Sequence, residues 1–467
     1  MHDLPIKSDF ERLRKLFNPS SIALVGVPRS LKSGSILLTA LLDQDFPGPL
    51  YPINPKADEI EGLKAYPSLG AVEGPIDAAI LMVPSSKTVQ IMEECAAKGV
   101  KLVVLYTAGY REKGTEEGRA LEQRVLEIAR SGGIRLLGPN CMGIYAPESH
   151  LSNYPKLSKT PGKLAFIAQS GSLTNMICSL LPLREMFFSM AVSTGNEIDL
   201  NSSDFLEYLA QDKNTELIVL YLEGISKGTR FHEVVKETAM KKPVLIWKVG
   251  MTNAGKRAVL SHTGSMMGSR RVWESMFKQT GAIGLTGIED LIDVSTAFYF
   301  LPDTVGPNIG IVSAPGSLAV AAAEACERHG LRVAELGRDS IQSLSSLLPE
   351  TGTSTSNPVD LGFSATMDIN YFRESVEVVG RDASVDALFI IGGGLTPDLN
   401  REFQRSIADT HKRLNKPIIA ISLPGLNVEI SRGFFKKGVP VFESVDRAAA
   451  AYEKVLRYQT WKRAVKG

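Results

Sequence analysis

A single histidine in a flexible stretch is the residue of this sequence best suited to carry a chemical group. His262 lies in "LSHTGSMMGS" (residues 260–269), a run of small and flexible residues with glycines on its C-terminal side. It is one of six histidines in the chain, and no apolar pattern surrounds it that would hold it in a core. Two interpretations are open: His262 is an ordinary solvated loop residue, or the loop is mobile because the imidazole has to travel.

Two glycine turns have the composition of anion-binding loops. "AQSGSL" (168–173) and "SAPGSL" (313–318) each follow an apolar, strand-like run and precede a helix-like run. A helix N-terminus presents unpaired backbone N–H groups and the positive end of its dipole, and glycine lets an anion approach that backbone closely. Both turns are therefore candidate phosphate sites, and the alternative is that they are merely tight strand-to-helix turns.

A third glycine loop brings cations toward the same kind of strand end. "GVPRSLKSG" (26–34) contains Arg29 and Lys32, and Lys56 ends the strand-like "YPINPK". These three cations could converge on one crevice or could simply be solvated. Together with the strand-end turns "VPSS", "TAG" and "GPNC", they indicate a site for a nucleotide-like ligand with several phosphates. The sequence contains no G-x-x-x-x-G-K-[ST] motif, and this loop spaces its glycines too widely for G-x-G-x-x-G.

The elements around these loops predict an α/β fold. Short β-branched and apolar runs alternate with helical segments of ten or more residues, which is typical of βαβ units and parallel sheets. The order strand, glycine loop, helix occurs three times, so we predict three doubly wound domains. Turn-rich stretches place the domain boundaries near residues 152 and 304, which gives domains 1–152, 153–304 and 305–467. In such sheets the turns after successive strands line a shared crevice.

Composition excludes several classes of protein. The 467 residues are 44% hydrophobic and 22% charged, as in soluble globular proteins, and the net charge of +1 gives no broad footprint for nucleic acid or an anionic membrane. The four cysteines are far apart, which argues against a zinc site or a disulfide framework. We predict no metal site and, because we find neither a signal core nor an apolar run of about 18 residues, a cytoplasmic protein.

In the order of its motifs, the chain resembles the nucleoside-diphosphate-forming acyl-CoA synthetases, which are relatives of succinyl-CoA synthetase. The motifs are "GPNCMG", "AQSGSL", "YLEG" around Glu223, "SHTGS" around His262 and "SAPGSLAV". The resemblance covers essentially the whole chain and follows the α subunit of the ADP-forming enzymes. It implies a Rossmann-like CoA-binding domain followed by two flavodoxin-like ligase domains, the first of which carries a phosphohistidine loop.

The resemblance assigns roles to individual residues. It implies that His262 is transiently phosphorylated and that Glu223 orients its imidazole. It implies two phosphate-binding helix N-termini, formed by Gln169, Ser170, Gly171 and Ser172 and by Ala314, Gly316 and Ser317. It implies a CoA site formed by Gly26, Ser30, Lys32, Lys56, Pro84, Thr107, Ala108 and Asn140. Asn175 stands where succinyl-CoA synthetases have a tyrosine, which predicts a different acyl substrate, and Met266 and Met267 replace smaller residues after the histidine.

The resemblance also implies a partner and a reaction. CoA is a substrate together with inorganic phosphate and a small carboxylic acid, and ATP or ADP with Mg²⁺ would bind an ATP-grasp β subunit, in a heterotetramer of two chains of each kind. The expected reaction interconverts acyl-CoA, ADP and phosphate with the acid, CoA and ATP. The sequence leaves two alternatives to this ligase function. One is a non-catalytic CoA-binding regulatory module, which would not need the carrier loop. The other is a nicotinamide-dependent oxidoreductase, for which the dinucleotide fingerprint and its acidic residue are lacking.

Overall fold

The structure, a computed structural model, describes residues 6–28, 35–263, 269–302, 305–422 and 428–466, without the side chains of 6–9, 260–263 and 466. The chain divides into two compact units. The first comprises Met1–Pro182 and Met186–Thr286, and the second comprises Leu183–Glu185 and Gly287–Gly467.

The first unit begins with a parallel sheet. Its strands in chain order are β1 (Ile22–Val25), β2 (Leu50–Ile53), β5 (Ala78–Leu81), β6 (Leu102–Leu105) and β7 (Arg135–Leu137), and their spatial order is β2-β1-β5-β6-β7. A small antiparallel hairpin, β3 (Glu59–Ile60) and β4 (Leu63–Lys64), follows β2. The helices are α1 (Ile6–Leu16), α2 (Ile36–Asp43), α3 (Thr88–Lys98) and α4 (Glu116–Ser131). Val25 pairs with Ile53 and Leu81, and Leu81 with Leu105, so these strands end level and the turns after them lie side by side.

A second sheet belongs to the same unit. Its strands are β8 (Gly143–Tyr145), β9 (Leu164–Ala168), β10 (Phe188–Ser193), β11 (Leu217–Leu222), β12 (Val244–Lys248) and β13 (Ile283–Leu285), in the spatial order β13-β12-β11-β9-β10-β8. All pairs are parallel except β8 with β10. The helices are α5 (Gly171–Leu180), α6 (Ser202–Gln211), α7 (Gly228–Lys241), α8 (Asn253–Thr263) and α9 (Arg270–Thr280).

The second unit contains a third parallel sheet. Its strands are β14 (Asn308–Ser313), β15 (Arg332–Val333), β16 (Val359–Asp360), β17 (Ala387–Ile391), β18 (Ile418–Ile421) and β19 (Val441–Phe442); the order is β15-β14-β17-β18-β19, and β16 also pairs with β14. The helices are α10 (Ile288–Phe300), α11 (Gly316–Arg328), α12 (Arg338–Leu347), α13 (Asn370–Arg381), α14 (Pro397–Arg413), α15 (Val428–Phe435) and α16 (Val445–Lys466). Buried Phe372, Phe403 and Phe434 pack edge to face in the core of this unit.

The predicted fold class is confirmed. Near-continuous apolar strands such as β9 and β17 are buried along their whole length, as parallel strands covered on both faces must be. The four cysteines, Cys95, Cys141, Cys178 and Cys326, are free and buried. Within the described ranges, no helix is both long and apolar enough to cross a membrane. The domain boundaries near 152 and 304 stay predictions. The strand β8, before residue 152, pairs with the second sheet, and α10, before residue 304, belongs to the second unit.

Candidate active site

A cavity of about 610 Å³ lies where the carboxyl ends of the first two sheets meet. Turns that follow β5, β6, β7, β9 and β10 contribute to its walls. Eight of the residues predicted to bind CoA or phosphate line it: Pro84, Thr107, Ala108, Asn140, Gln169, Ser170, Gly171 and Ser172. The structure thus brings the predicted CoA turns and the first phosphate turn into one cavity.

The predicted CoA turns are fastened to one another by hydrogen bonds. The Thr107 hydroxyl donates to the carbonyl of Val83 at 2.6 Å, and the Asn140 backbone N–H donates to the carbonyl of Thr107 at 3.1 Å. Gly26, which follows β1, packs against Val83 of the same wall. Its φ is +92°, and a Cβ there would lie 2.9 Å from Cγ1 of Val83. Only glycine fits that position without strain.

Of the three cations predicted near this wall, the structure describes only Lys56. Lys56 is exposed in the turn after β2 and does not line the cavity. Ser30 and Lys32, together with Arg29, lie outside the described residues. The roles of Ser30, Lys32 and Lys56 in CoA binding stay predictions.

The N-terminus of α5 opens onto the cavity. Ser170 is its N-cap, with the hydroxyl accepting from the N–H of Leu173, and the first turn contains no acidic residue. Gly171 has no side chain to cover the backbone N–H groups of this turn, and a Cβ there would lie 2.3 Å from Cγ of Met142. Uncapped N–H groups at the positive end of the helix dipole suit an oxyanion of the size of phosphate.

Gln169 links this phosphate turn to Glu223. Its Oε1 accepts from the backbone N–H groups of Glu223 at 2.6 Å and Gly224 at 3.0 Å, and its Nε2 donates to the carbonyl of Gly224 at 2.8 Å. Glu223 directly follows β11 and is only 4% exposed. The hydroxyl of Tyr221 forms a hydrogen bond with the Glu223 carboxylate. Burial raises the pKa of Tyr221 to about 12, and the charge of Glu223 and this hydrogen bond add to the increase. The predicted carboxylate is therefore buried and held beside the predicted phosphate turn.

His262 lies near the end of α8. The stretch 260–269 was expected to be a loop, and this is wrong for 260–263, which continue the helix that begins at Asn253. Gly255 lies in the first turn of that helix, and its N–H donates to the Thr252 hydroxyl. The His262 side chain is not described, and Gly264, Met266, Met267 and Gly268 lie outside the described residues. The travelling loop stays a prediction.

Asn175 lies on α5, one turn beyond Gly171, and does not line the cavity. Its Oδ1 is buried and has no hydrogen-bond partner among the described residues. A buried acceptor without a hydrogen-bond donor costs free energy, and a donor group of a ligand at this atom would remove that cost. Its role in acyl selection stays a prediction.

The second phosphate turn lies in the other unit, at the start of α11 after β14. Ala314, Gly316 and Ser317 surround the helix N-terminus, as the sequence pattern predicted. A Cβ on Gly316 would lie 2.3 Å from Oδ2 of Asp360, so a carboxylate of the protein itself lies close to this turn. A phosphate bound here would lie close to that carboxylate, whose negative charge disfavours a second anion. Phosphate binding by these residues stays a prediction.

Among the cavity-lining residues that the sequence did not predict are Gly195 and Asn196, in the turn after β10. Gly195 has a φ of +58°, and a Cβ there would lie 2.2 Å from the carbonyl oxygen of Pro139. The N–H of Asn196 donates to the same carbonyl at 2.9 Å. The available signal was "STGN", small and polar residues directly after the apolar strand β10.

Asn196 also reaches the turn that contains Thr107 and Ala108. Its Nδ2 donates to Glu112 Oε2 at 2.6 Å, while Glu112 Oε1 accepts from the N–H groups of Gly109 and Tyr110. Burial alone raises the pKa of Glu112, but these hydrogen bonds outweigh it and hold that pKa below its usual value. The ionised Glu112 therefore links the turn of Asn196 to the turn that contains Thr107 and Ala108.

Among the residues that the structure describes, no group of three or more His, Cys, Asp or Glu side chains is placed to hold a metal ion.

Comparison with known proteins identifies the family. Residues 20–147 match the model of a CoA binding domain, and residues 161–298 match that of a succinyl-CoA ligase like flavodoxin domain. The α subunit of the ADP-forming acetate–CoA ligase II of Pyrococcus furiosus is 36% identical over 448 residues, which cover 94% of this chain and 96% of that one. The chain belongs to the family of ADP-forming acyl-CoA ligases.

Two further relatives of this ligase family place the chain within it. An ADP-forming acetate–CoA ligase of Methanocaldococcus jannaschii is 36% identical over 97% of this chain, which spans 64% of that longer relative. A solved structure from Ca. Korarchaeum cryptofilum, a dinucleotide forming acetyl-coenzyme A synthetase 1 in complex with phosphate and ADP, superposes with a TM-score of 0.87. It is 32% identical, and the match covers 97% of this chain and 98% of that one. The family predicted from the sequence motifs is confirmed.

Proposed function

We propose that the chain is the α subunit of an ADP-forming acyl-CoA ligase and that it performs the thioester chemistry of that enzyme. The observation that carries the proposal is the single cavity shared by the Thr107, Ala108 and Asn140 turns and the N-terminus of α5. A CoA thioester bound by the first set of turns would meet a phosphate bound by the second.

The reaction proceeds in three reversible steps. An oxygen of inorganic phosphate attacks the thioester carbonyl, and the CoA thiolate leaves and takes up a proton, which gives an acyl phosphate. The neutral imidazole of His262 attacks the phosphorus, and the carboxylate is released. The phosphohistidine then transfers its phosphoryl group to ADP, which gives ATP and restores the imidazole.

Chain groups around the cavity would support these steps. The backbone N–H groups at Gly171 and Ser172 would stabilise the negative charge of the phosphate without reorganisation during the reaction. Glu223 would hold one imidazole nitrogen of His262 and stabilise the cationic phospho-form. Its burial strengthens that interaction, because the local dielectric constant is low.

The third step would take place on a partner. We propose an ATP-grasp β subunit that binds ADP or ATP with Mg²⁺, in a heterotetramer with two copies of each chain. The carboxylic acid that this enzyme activates is small. A cytoplasmic location stays a prediction.

Labelling with radioactive phosphate tests the proposal. The chain, with its β subunit, is mixed with acetyl-CoA and [³²P]phosphate, and label that is acid-labile and base-stable is measured. We expect the parent to be labelled and His262→Ala not to be. The matched control is His329→Ala, a histidine that lies against Asp446 in the second unit and should label like the parent. If His262→Ala is labelled as strongly as the parent, the proposed relay is wrong. CoA binding without any label in the parent would instead favour a regulatory module.

A further inference from the structure

Lys248 is a buried lysine at the end of β12. It is 5% exposed, and its Nζ donates to the backbone carbonyls of Glu223 at 3.0 Å and Val249 at 2.5 Å. Nζ also lies 5.6 Å from the ring centroid of Trp273 on α9. Burying an ammonium group is costly unless it is well partnered, so a lysine kept in this position needs a reason.

The strand register places this ammonium against the turn that carries Glu223. Lys248 pairs with Leu222, the residue immediately before Glu223. Gln169 accepts from the N–H of Glu223, and Lys248 donates to its carbonyl, so both peptide groups of Glu223 are fixed. Removal of Lys248 would leave the Glu223 carbonyl without this donor and would free one side of the turn.

The charges around Lys248 make Glu223 its electrostatic counterpart. His232 on α7 and Arg271 on α9 line a cavity together with Lys248, and neither is an anion. The Glu223 carboxylate, at the end of β11, acts on Lys248 with the opposite sign of charge. Burial lowers the pKa of Lys248 to about 8, and the charge of Glu223 opposes this decrease. At neutral pH the lysine is therefore charged, and it loses its charge as the pH rises through about 8.

We propose that Lys248 is a positioning residue for phosphoryl transfer: it fixes the turn of Glu223 and so orients the Glu223 carboxylate for its role with His262. This inference rests on the proposed function. An ammonium group donates charge-assisted hydrogen bonds, which are stronger than those of a neutral amine, so deprotonation of Lys248 weakens the hydrogen bonds that hold this turn. Phosphohistidine formation should therefore decline above pH 8.

The test compares three variants of the chain in its complex with the β subunit. The initial rate of acid-labile labelling from [³²P]phosphate and acetyl-CoA is measured from about pH 6 to about pH 10, across the ordinary pKa values of His and Lys. Lys248→Met removes both the charge and the hydrogen bonds, whereas Lys248→Arg keeps a charge at every pH in this range. Lys242→Met is the matched control. Burial lowers the pKa of Lys242 to about 8 too, and its Nζ donates to the carbonyls of Leu209 and Asp212. Lys242 differs in position, because it precedes the first residue of β12 whereas Lys248 is the last.

Each variant has a distinct expected result. Lys248→Met should slow labelling at pH 7 by about 10- to 100-fold, the range typical of residues that orient a reacting or ligating group, with the KM for acetyl-CoA unchanged. Lys248→Arg should recover most of the rate at pH 7 and lack the decline above pH 8. Lys242→Met should show the pH profile of the parent. In a Glu223→Gln background, Lys248→Met should cause no further loss, because the lysine acts through that carboxylate.

Two outcomes overturn the inference in distinguishable ways. If the parent is labelled and Lys248→Met is labelled at the same rate with the same alkaline decline, Lys248 has no positioning role and the proposed function stands. If the parent itself is not labelled, the proposed function fails and the inference fails with it. Should Lys248→Met not fold, Lys248→Arg decides alone: an unchanged alkaline decline in that variant contradicts the proposal.

Discussion

At the scale of single residues, the site depends on a buried glutamate whose backbone is held on both sides. Gln169 fixes the N–H of Glu223, Lys248 fixes its carbonyl, and the Tyr221 hydroxyl bonds its carboxylate. A backbone fixed in this way, with the side chain buried, leaves the glutamate little freedom to lose when it orients an imidazole. Glu223 is thus prepared for its proposed role before any substrate binds.

Glu223→Gln should abolish most of the phosphohistidine formation, because the amide carries no charge to stabilise the cationic phospho-form. We expect a loss of at least about 100-fold in the labelling rate, the scale of well-placed acid–base groups. Glu216→Gln is the matched control, since Glu216 directly precedes β11 and is largely exposed in its pair with Lys163. Equal labelling rates in the two variants would contradict a catalytic role for Glu223.

The pair Glu112 and Asn196 gives a second prediction at this scale. Glu112→Gln would turn one amide NH₂ toward another, that of Asn196, and both groups are donors. The variant should bind CoA about 10-fold more weakly, since the buried NH₂ of Asn196 loses one of its two carboxylate partners and keeps only Glu122. Adding Asn196→Asp would supply an acceptor again, so the double variant should recover much of the affinity, measured by calorimetry.

The exposed Glu127→Gln on α4 is the control for this pair and should bind CoA like the parent. A double variant that binds CoA no better than Glu112→Gln alone would show that the hydrogen bond between the two side chains does not set the CoA turn.

At the scale of elements, the proposed phosphate binding depends on the N-terminus of α5. Gly171→Ala would place a methyl group at the N-terminal turn and 2.3 Å from Met142 Cγ, so we expect the KM for phosphate to rise in the labelling reaction. Gly228→Ala is a close control because Gly228 is also the first residue of a helix, α7, and a Cβ there would meet nothing within 4 Å. If both variants keep the parent's KM for phosphate, the N-terminus of α5 does not bind it.

At the scale of the whole molecule, burial of titratable groups sets how stability depends on pH. Burial raises the pKa of Cys95, Cys141 and Cys326 to about 12 and also raises that of Cys178. Above pH 9 the unfolded chain loses these protons and the folded chain keeps them, so stability falls as the pH rises. Lys242 and Lys248, with pKa values near 8, act in the opposite direction between about pH 8 and their unfolded value.

Among the described residues, four thiols and six tyrosines with raised pKa values outnumber three lysines with lowered pKa values, the third being Lys416. The melting temperature should therefore fall between pH 9 and about pH 10.5, the upper limit set by the unfolded pKa of lysine. Thermal unfolding in the presence of a reductant measures this decrease. Replacing two thiols, with Cys95→Ala and Cys326→Ala, should make the decrease less steep, because fewer groups bind protons differently in the two states. A variant whose melting temperature falls as steeply as that of the parent would show that the thiols do not cause it.

The sequence by itself determined the local features of this protein. Apolar strand, glycine turn and helix follow one another along the chain, so the N-terminal turns of α5 and α11, the strand ends that carry Thr107 and Asn140, and the position of Glu223 could be read from neighbouring residues. These features depend on backbone conformation and short-range hydrogen bonds, which the residues within a few positions largely decide.

Only the tertiary structure decided which of these local features meet. Sheet order and packing bring Gly195 and Asn196 against the turn of Pro139, bury Lys248 beneath Glu223, place Asp360 beside Gly316 and leave Lys56 exposed. Another such contact, between Arg111 and Asn196, joins residues that are 85 positions apart in the chain. Such contacts form because whole apolar faces pack together, and no short stretch of sequence encodes that arrangement.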